Sequence, residues 1–455
     1  MSLLDRAPPW LADDGGPGSP RSADAATILG FFVVLQFLLP PRLALNGLPL
    51  SLSAASLIAL GLGALWLSTQ MTTTLGAAKG RTPVRTMLFV YFCVLLASYA
   101  SSAFRYLPAD ERANGDHAMV TAFALIAVGL AVCDGVRSRS RLYFLLRVMV
   151  VCASGVAVVG ILQYLFGFDL TPMLRPPGMH FTSSEAVVLE RWGMRRVSGT
   201  TVHPIEFGVF CAMTLPLAVH LASTHRGKGR RSTFWWVCVG LIAVGLMFSV
   251  SRSAILAVGA VAAVLFAGSA GARRLRMIVA SAGFLVFIQV VSPGLPRTFV
   301  NLFRNAGSDS SVSWRTHDYE TAQALISDHL VLGRGLGTWY APKHTVFDNQ
   351  YLLTLVDIGV VGLVAILAIL AAAIYSSLGV MLLCHRFPAR LKTAPTDRDL
   401  ALSLIASITA MLPTYATFDF AACATVSSLS FLLIGMSGAL LRIVRADTAG
   451  WTNAA

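Results

Sequence analysis

Three charged residues stand out because each lies beside an apolar segment and belongs to a type that can do chemistry. Arg252 lies in a tight hydrophilic turn between two apolar runs, and Arg315 follows Trp314 at the start of an amphipathic segment. Asp348 precedes Asn349 where a long apolar run begins. A guanidinium binds oxyanions through paired hydrogen bonds, and a carboxylate can take a proton from a hydroxyl group. Together these types suit group transfer away from an anionic leaving group.

Each of the three residues also has a purely structural interpretation. Arg252 could extend its charged end from a helix terminus to the interface. If the two flanking apolar runs cross a membrane, however, the Arg252 guanidinium lies at or near membrane depth. A charge there is costly and tends to mark a functional site, so we favour a functional role. Arg315 could pair with Asp318 or Glu320 within one helical turn, and taken alone this interpretation is favoured. Asp348 could cap the following helix, because its oxygen accepts backbone N–H groups, although a capping carboxylate keeps one oxygen free.

The histidines and the glycine-rich turn of the predicted outer loops favour no metal site and no nucleotide site. Metal-ligand spacing is missing among the five histidines, which are His180, His203, His317, His329 and His344. We interpret His203, which precedes Pro204, as a residue at a helix start. The turn Gly333–Gly337 contains Arg334 but is not followed by Lys-Ser/Thr, so it predicts a hinge and not a phosphate loop. No metal and no other cofactor is expected.

The apolar runs that carry these residues predict an all-α, polytopic membrane protein with about twelve transmembrane helices. The chain has 455 residues, of which 56% are hydrophobic and 13% charged. The runs are each close to the roughly 20 residues that a spanning helix needs. They lie near 26–40, 50–68, 86–104, 118–133, 142–166, 204–222, 234–249, 253–269, 277–293, 359–383, 399–415 and 419–441. The first could continue through Pro40-Pro41 as a kinked helix.

The distribution of Lys and Arg predicts the orientation of the chain. Most of the 35 Lys and Arg fall in loops on one side of the predicted helices, the side that contains both termini. The positive-inside rule makes that side cytoplasmic, so the net charge of +13 reflects topology and not nucleic-acid binding. The seven cysteines lie in or beside apolar runs and are interpreted as small packing residues.

We predict one integral membrane domain at 26–445, between a disordered cytoplasmic tail at 1–25 and a second tail at 446–455. Two long extracytoplasmic loops are expected, at 167–203 and at 294–348. The second loop has balanced charge, which favours a folded and partly helical surface. A continuous helix from Asn349 to Leu383 would be roughly 50 Å long, against roughly 30 Å of hydrocarbon. Gly359 and Gly362 are therefore the expected break points.

The predicted topology places Arg252, Arg315 and Asp348 on the outer side of the membrane. Two guanidiniums could hold a diphosphate there, while the carboxylate takes a proton from a sugar hydroxyl. Arginine would stabilise the leaving group, so no metal is required. The combination suits transfer of a glycan from a lipid diphosphate to an acceptor.

Four motifs between about 195 and 365 resemble, in type and order, those of the O-antigen ligase and O-antigen polymerase superfamily. They are Gly199-Thr200-Thr201-Val202-His203-Pro204; Ser251-Arg252-Ser253-Ala254; Trp314-Arg315 leading to Leu332–Gly337; and Asp348-Asn349 followed, after nine residues, by Gly359-Val360-Val361-Gly362. Members are metal-independent inverting glycosyltransferases of the GT-C type. They use undecaprenyl-diphosphate-linked glycans at the periplasmic or extracellular face.

The resemblance implies that Arg252 and Arg315 bind the diphosphate. Six further residues are expected to contact substrate, namely Arg196, His203, Trp314, Arg334, His344 and Asn349. The ligase pattern has His where this chain has Asp348, which favours a polymerase of surface-polysaccharide repeat units over a ligase. It also leaves His344 as an alternative base.

The expected partners are a polyprenyl-diphosphate-linked glycan donor, a glycan or lipid acceptor and membrane lipid, with no nucleic acid. The expected location is the cytoplasmic (inner) membrane, with the active site on the periplasmic or extracellular face. Two other classes of protein fit the same pattern. One is a polytopic transporter or flippase of lipid-linked glycan, although the ionisable residues lie mostly at helix ends and not at midplane. The other is a catalytically inactive scaffold of the cell envelope.

Overall fold

A computed structural model describes residues 24–47, 51–71, 82–182, 188–191, 194–224, 230–291, 310–341, 343–345, 347–389 and 391–449. Of the residues described, 77% are helical, which confirms the prediction of an all-α, polytopic membrane protein. Residues 1–23 of the predicted tail at 1–25 and residues 450–455 of the tail at 446–455 lie outside these residues.

The described helices are α1 (Ala25–Leu38), α2 (Ala54–Met71), α3 (Pro83–Ala103), α4 (Ala109–Gly135), α5 (Arg139–Phe166), α6 (Pro204–Thr224), α7 (Arg230–Phe248), α8 (Arg252–Gly268), α9 (Gly271–Val291), α10 (Ser310–Asp328), α11 (Gln350–Arg386), α12 (Ala394–Thr409), α13 (Met411–Tyr415) and α14 (Ala424–Ala449). A short 3-10 helix covers Thr171–Leu174. Strand β1 (Leu43–Leu45) pairs antiparallel with β2 (Met179–Phe181), and β3 (Val188–Arg191) pairs antiparallel with β4 (Met194–Val197).

Seven of the described helices are long and apolar enough to cross a membrane, namely α2, α3, α4, α5, α6, α11 and α14. The apolar helices α1 and α8 and the apolar part of α7 are shorter. Each of the twelve predicted runs overlaps a helix, but the count of twelve spans stays a prediction. Helix α14 is the most buried of the seven and packs against α4, α11 and α12.

Three helix boundaries differ from the sequence-based expectation. Helix α1 ends at Leu38 and the chain turns extended at Leu39, so continuation through Pro40-Pro41 is wrong. A residue before proline avoids helical dihedrals, and proline has no N–H for the helix. The predicted run at 399–415 is divided at Ala410, and the predicted run at 419–441 becomes helical only from Ala424.

Gly359 interrupts α11 as the sequence predicted. Its φ of 69° and ψ of −171° are non-helical and suit only glycine. A Cβ there would lie 2.3 Å from the carbonyl oxygen of Val331. Just past the break, the N–H groups of Val360 and Val361 donate to Leu330 O (2.9 Å) and Val331 O (3.3 Å). The break therefore joins the end of the α10 segment to α11.

Ion pairs gather many helix termini at one end of the bundle. Arg139 at the start of α5 binds Asp397 at the start of α12 (2.8 Å) and Asp447 at the end of α14. His220 near the end of α6 and Arg273 near the start of α9 both bind Asp399. The loops that sequence analysis assigned to one side thus lie together, and the opposite helix ends carry the candidate site.

Candidate active site

The glycine-rich turn Gly333–Gly337 is bound to the end of α3 and the start of α4. Ser98 Oγ on α3 donates to Leu332 O at 2.8 Å, and Asn114 Nδ2 on α4 donates to Gly337 O at 2.6 Å. The Arg105 guanidinium donates to the carbonyls of Gly333 (3.1 Å) and Arg334 (2.8 Å). This arrangement does not favour the predicted hinge, because helices hold the turn along its length.

The other side of the turn is bound by Asp357, which lies on α11 just before the Gly359 break. Its carboxylate accepts the N–H groups of Gly337 (3.0 Å) and Trp339 (3.3 Å). Its backbone carbonyl accepts the N–H of Gly335 at 2.9 Å. Sequence analysis did not select Asp357. The signal that could have found it is a carboxylate within an apolar run, next to a predicted helix break.

Asn349, and not Asp348, caps α11. Asn349 Oδ1 accepts the N–H groups of Tyr351 (3.0 Å) and Leu352 (3.3 Å). The structural interpretation of Asp348 as the cap is therefore wrong. Asp348 is partly buried, and its carboxylate makes no hydrogen bond or ion pair with the described residues. It lies at the mouth of α11 with its oxygens available.

Helix α10 packs parallel to the first part of α11, because contacts pair Tyr319 with Asn349 and Leu330 with Val360. Phe347, Ala322 and Val356 form a small buried core between them. Asn349 Nδ2 approaches the Tyr319 hydroxyl at 3.4 Å, whereas the far end of the α10 segment meets α11 at the Gly359 break.

Position 315 is four residues before Tyr319, hence one turn away on the same helix face. Because the two helices run in the same direction, this backbone position lies about one turn beyond the level of Asn349, on the side away from the Gly359 break. The side chains of Trp314 and Arg315 lie outside the described residues.

A second carboxylate, Asp419, lies in the α13–α14 loop beside the start of α11. Gln350 Oε1 accepts the Ala421 N–H at 2.6 Å, and the Tyr351 hydroxyl donates to Leu412 O at 2.7 Å. Burial raises the pKa of Asp419 to about 6, and the negative charge of nearby Asp348 adds to the increase. Sequence analysis missed Asp419 because this stretch was interpreted as the start of a membrane span. An acid between two phenylalanines was the available signal.

Arg252 is the first residue of α8 and follows a strained turn. Val250 has a φ of 43°, in the left-handed region that β-branched residues avoid, and it is fully buried. Ser251 Oγ caps the helix by accepting the Ala254 N–H at 3.4 Å. The turn packs closely on α6, where a Cβ at Gly208 would lie 2.4 Å from Ser249 Oγ. The surrounding packing holds this turn in its strained conformation and so fixes where α8, and with it Arg252, begins.

Arg196 and His203 lie together at the end of the first long loop. Arg196 on β4 is 9% exposed. His203 Nδ1 accepts the Ile205 N–H at 3.2 Å, which agrees with the predicted role at a helix start. Burial and the positive charge of Arg196 lower the pKa of His203 to about 4, so this imidazole is neutral at neutral pH. His203 can therefore offer a neutral ring to a substrate.

Glu206 connects this cluster to the loop that carries Asp419. It is fully buried in the first turn of α6 and accepts the N–H groups of Val202 (3.0 Å), Thr425 (2.8 Å) and Val426 (3.4 Å). The start of α14 is thus fixed to the start of α6. Sequence analysis missed Glu206, although an acid two residues after a helix-starting proline was visible.

The remaining predicted substrate-binding residues have protein partners. Arg334 Nη2 lies 2.7 Å from Glu111 Oε2, and His344 Nε2 lies 3.1 Å from Glu111 Oε1. Asn349 is occupied by its capping bonds. These contacts indicate positioning roles, although the predicted contacts with substrate stay predictions.

Comparison with known proteins identifies one family. Residues 237–367 match a family model described as O-Antigen ligase. The matched segment runs from α7 into α11 and includes Arg252, Arg315 and Asp348, but not Arg196 or His203. No curated protein matches the chain. The match confirms the predicted resemblance to the O-antigen ligase and polymerase superfamily.

Proposed function

Since this chain contains a segment that matches the O-antigen ligase family, we propose that it is a membrane glycosyltransferase. It transfers a glycan from a polyprenyl diphosphate to an acceptor hydroxyl, with inversion and without a metal. Asp348 is the general base, and Arg252 and Arg315 bind the diphosphate. The observation that carries the proposal is the capping of α11 by Asn349, which leaves the Asp348 carboxylate available.

The reaction needs one displacement. The acceptor oxygen attacks the anomeric carbon of the donor while its proton passes to an Asp348 oxygen. The bond between the anomeric carbon and the diphosphate oxygen breaks, and the diphosphate leaves with the electron pair. Guanidinium groups that pair with the phosphate oxygens stabilise the charge that develops there. Asp348 thus takes the proton that the acceptor hydroxyl loses, and the two arginines offset the negative charge that forms on the leaving diphosphate.

Two backbone features support the arginine assignments. Strain at Val250, with its φ of 43°, holds the start of α8, and such strain clusters at functional sites. The parallel packing of α10 on α11 supports a place for Arg315 near Asp348, because Tyr319, one turn after Arg315, approaches Asn349, which follows Asp348.

The proposed orientation has both termini in the cytoplasm and the site at the outer face of the cytoplasmic membrane. The shared helix end that contains Arg139, Arg273 and their acidic partners supports a cytoplasmic location for that end. The opposite end, with Asp348, then faces the periplasm or the exterior. Lipid-linked glycans would reach it from the outer leaflet.

We favour polymerisation of lipid-linked repeat units over ligation to a different acceptor. The residue before Asn349 is Asp348, where the resembled ligase pattern has histidine. Both reactions use the same donor chemistry and differ in the molecule that supplies the attacking hydroxyl. A ligase is the second candidate, because the matched family is described as O-Antigen ligase.

The test uses purified protein in vesicles that contain a lipid-linked oligosaccharide of a single repeat unit. A polymerase lengthens the glycan, which is seen by gel separation of the products. Asp348→Asn, Arg252→Gln and Arg315→Gln should each lower the rate at least about 100-fold, as expected for loss of a base or of charge stabilisation. Arg112→Gln is the control, since Arg112 is an exposed arginine on α4 outside the proposed site.

Three outcomes separate the alternatives. Full activity in all three site variants contradicts the assignments. Transport of the lipid-linked glycan without a change in its size supports a flippase. In cells that lack the gene, accumulation of single-repeat product supports a polymerase, whereas full-length glycan retained on its carrier supports a ligase.

A further inference from the structure

A buried carboxylate outside the family-matched segment gathers both ends of the loop that precedes Asp348. Glu111 lies in the first turn of α4 and is only 1% exposed. Its oxygens contact Arg334 Nη2 (2.7 Å), Lys343 Nζ (3.0 Å) and His344 Nε2 (3.1 Å). A buried carboxylate is costly unless it is paired, so this set of partners is a built feature and not a chance surface contact.

The partners of Glu111 come from the beginning and the end of one loop, 334–347. Arg334 follows the first glycine of the glycine-rich turn, whereas Lys343 and His344 lie shortly before Asp348. One side chain on α4 therefore closes the loop into a fixed ring. The same loop is bound from the α11 side, where the Asp357 carboxylate accepts the N–H groups of Gly337 and Trp339.

An aromatic stack connects this ring to the residue before the proposed base. The Trp339 ring stacks on His344 with centroids 4.2 Å apart and on Phe347 with centroids 5.4 Å apart. The Arg334 guanidinium lies 5.6 Å from the Trp339 centroid, and Trp339 Nε1 donates to Thr345 O at 2.9 Å. Phe347 is 1% exposed in the small core between α10 and α11. Trp339 contacts His344, Arg334 and Phe347, so a shift of His344 or Arg334 also shifts Phe347. Asp348 follows Phe347 in the chain and moves with it.

We propose that Glu111 is a positioning residue that holds the loop 334–347, through Arg334 and His344, so that Asp348 meets the acceptor hydroxyl. The inference rests on the proposed function in one respect, the role of Asp348 as base. The anchoring of the loop by Glu111 stands without it. Glu111 does not touch substrate, and its effect passes through the Trp339 stack.

The proposal predicts a separation between turnover and donor binding. Glu111→Gln removes the charge that pairs with Arg334 and Lys343 but keeps the size of the side chain. The loop then loses the anchor that joins Arg334 to His344, although its other contacts stay, and kcat for glycan transfer falls roughly 10- to 100-fold, as for a small misplacement of a catalytic group. KM for the donor stays within about threefold, because Arg252 and Arg315 lie outside the loop. Asp116→Asn is the matched control, since Asp116 is on the same helix and binds Tyr99, not the loop.

A second measurement reports on the loop without relying on activity. Thr338 is 1% exposed, and its hydroxyl donates to Gly335 O at 2.9 Å. In the Thr338→Cys variant, the introduced thiol should be protected from a membrane-impermeant maleimide. The protein without this substitution, labelled in the same way, gives the background from the native cysteines. Addition of Glu111→Gln should raise the labelling rate about tenfold or more, because opening of the loop becomes frequent. Asp116→Asn should leave it unchanged.

The two measurements together decide the matter. Faster labelling with lower kcat supports the proposal. Faster labelling with unchanged kcat overturns it, because the loop would then be anchored without serving the reaction. Lower kcat with unchanged labelling also overturns it, since Glu111 would act in some other way. If the wild-type protein has no transferase activity, the proposed function fails, whereas the labelling still tests the anchor. If Glu111→Gln yields too little folded protein, Arg334→Gln takes its place in the labelling experiment, with the same increase expected.

Discussion

Replacing Asp419 with Asn should stabilise the protein by an amount that grows with pH. Burial raises the pKa of the Asp419 carboxyl from its usual 3.8 to about 6, and the charge of Asp348 adds to the increase. The folded protein thus holds this proton more tightly than the unfolded chain does. Stability from the group is complete below about pH 4 and is lost as the pH rises through about 6. Asn cannot ionise, so the variant avoids this loss.

The size of the effect follows from the pKa difference. A raise of about two pKa units corresponds to about 3 kcal/mol at a pH well above 6. Asp419 is partly exposed to solvent, so this figure is an upper limit. In a chain of 455 residues, a change of 1 kcal/mol moves Tm by roughly 1 °C. The variant should therefore melt up to roughly 3 °C above the wild type at pH 8, with no difference near pH 4.

The assay is thermal unfolding in detergent, followed by fluorescence between about pH 4 and pH 8. Asp328→Asn is the matched control, because Asp328 is an exposed carboxylate at the end of α10, and its Tm difference should not follow this pH curve. Asp348→Asn removes a nearby negative charge and so lowers the pKa of Asp419 in the folded protein; in that background the stabilising effect of Asp419→Asn should be smaller and should reach its full size at a lower pH. A Tm difference that stays constant with pH, or a less stable variant at pH 8, would refute the reasoning.

Three further substitutions test the backbone and the buried charge around the site. Gly359→Ala places a Cβ 2.3 Å from Val331 O at a positive φ, so it should cost roughly 2 kcal/mol or more, seen as a lower Tm and less monodisperse protein; a normal Tm would contradict the geometry. Val250→Gly relieves strain of order 1–3 kcal/mol but loses a similar stabilisation from apolar burial, so Tm should change little. Glycan transfer should fall because the position of Arg252 becomes less well defined. Unchanged transfer would argue against a role for the strained turn. Glu206→Gln leaves buried N–H groups less well paired and should cost roughly 1–3 kcal/mol in thermal unfolding; an unchanged Tm would show that Glu206 is not needed to hold the start of α14.

Hydropathy was sufficient to predict the helices because burial in lipid demands long apolar runs. It could not predict where helices end, since that depends on individual backbone bonds. Leu39 turns extended before Pro40, and Ala410 separates α12 from α13 within one apolar run. Gly359 was predictable because a run too long for the membrane must break, and glycine is the residue that tolerates the necessary dihedrals.

Candidate site residues could be selected from the sequence only where the local pattern marks them. Asp348 and Arg252 are charged residues at the edges of apolar runs, so both were selected as candidates, and their roles stay predictions. Glu111 and Arg334 are 223 residues apart in sequence, and the sequence around each residue does not indicate that the two form an ion pair. Asn349 and Asp348 could each have capped α11 by residue type, and only the hydrogen bonds distinguish them. Asp419 was missed because its stretch was interpreted as the start of a membrane span, and its neighbour Asp348 comes from a distant part of the chain.

The partners of the carboxylates give an independent argument for the location of the chemistry. At the end with both described termini, acids bind arginines: Asp24 binds Arg141, Asp134 binds Arg85, Asp397 and Asp447 bind Arg139, and Asp399 binds Arg273.

At the opposite end, Glu206 and Asp357 are occupied by backbone N–H groups, and Glu111 by the cations of one loop. Among the residues the structure describes, Asp348 and Asp419 have no cation within ion-pair distance. An acid fully paired with arginine is a poor base, because the pairing stabilises its charged form and lowers its proton affinity. We therefore propose Asp348 and Asp419, which lie at the mouth of α11 where the family-matched segment and the α13–α14 loop meet, as acids able to accept a proton from a substrate.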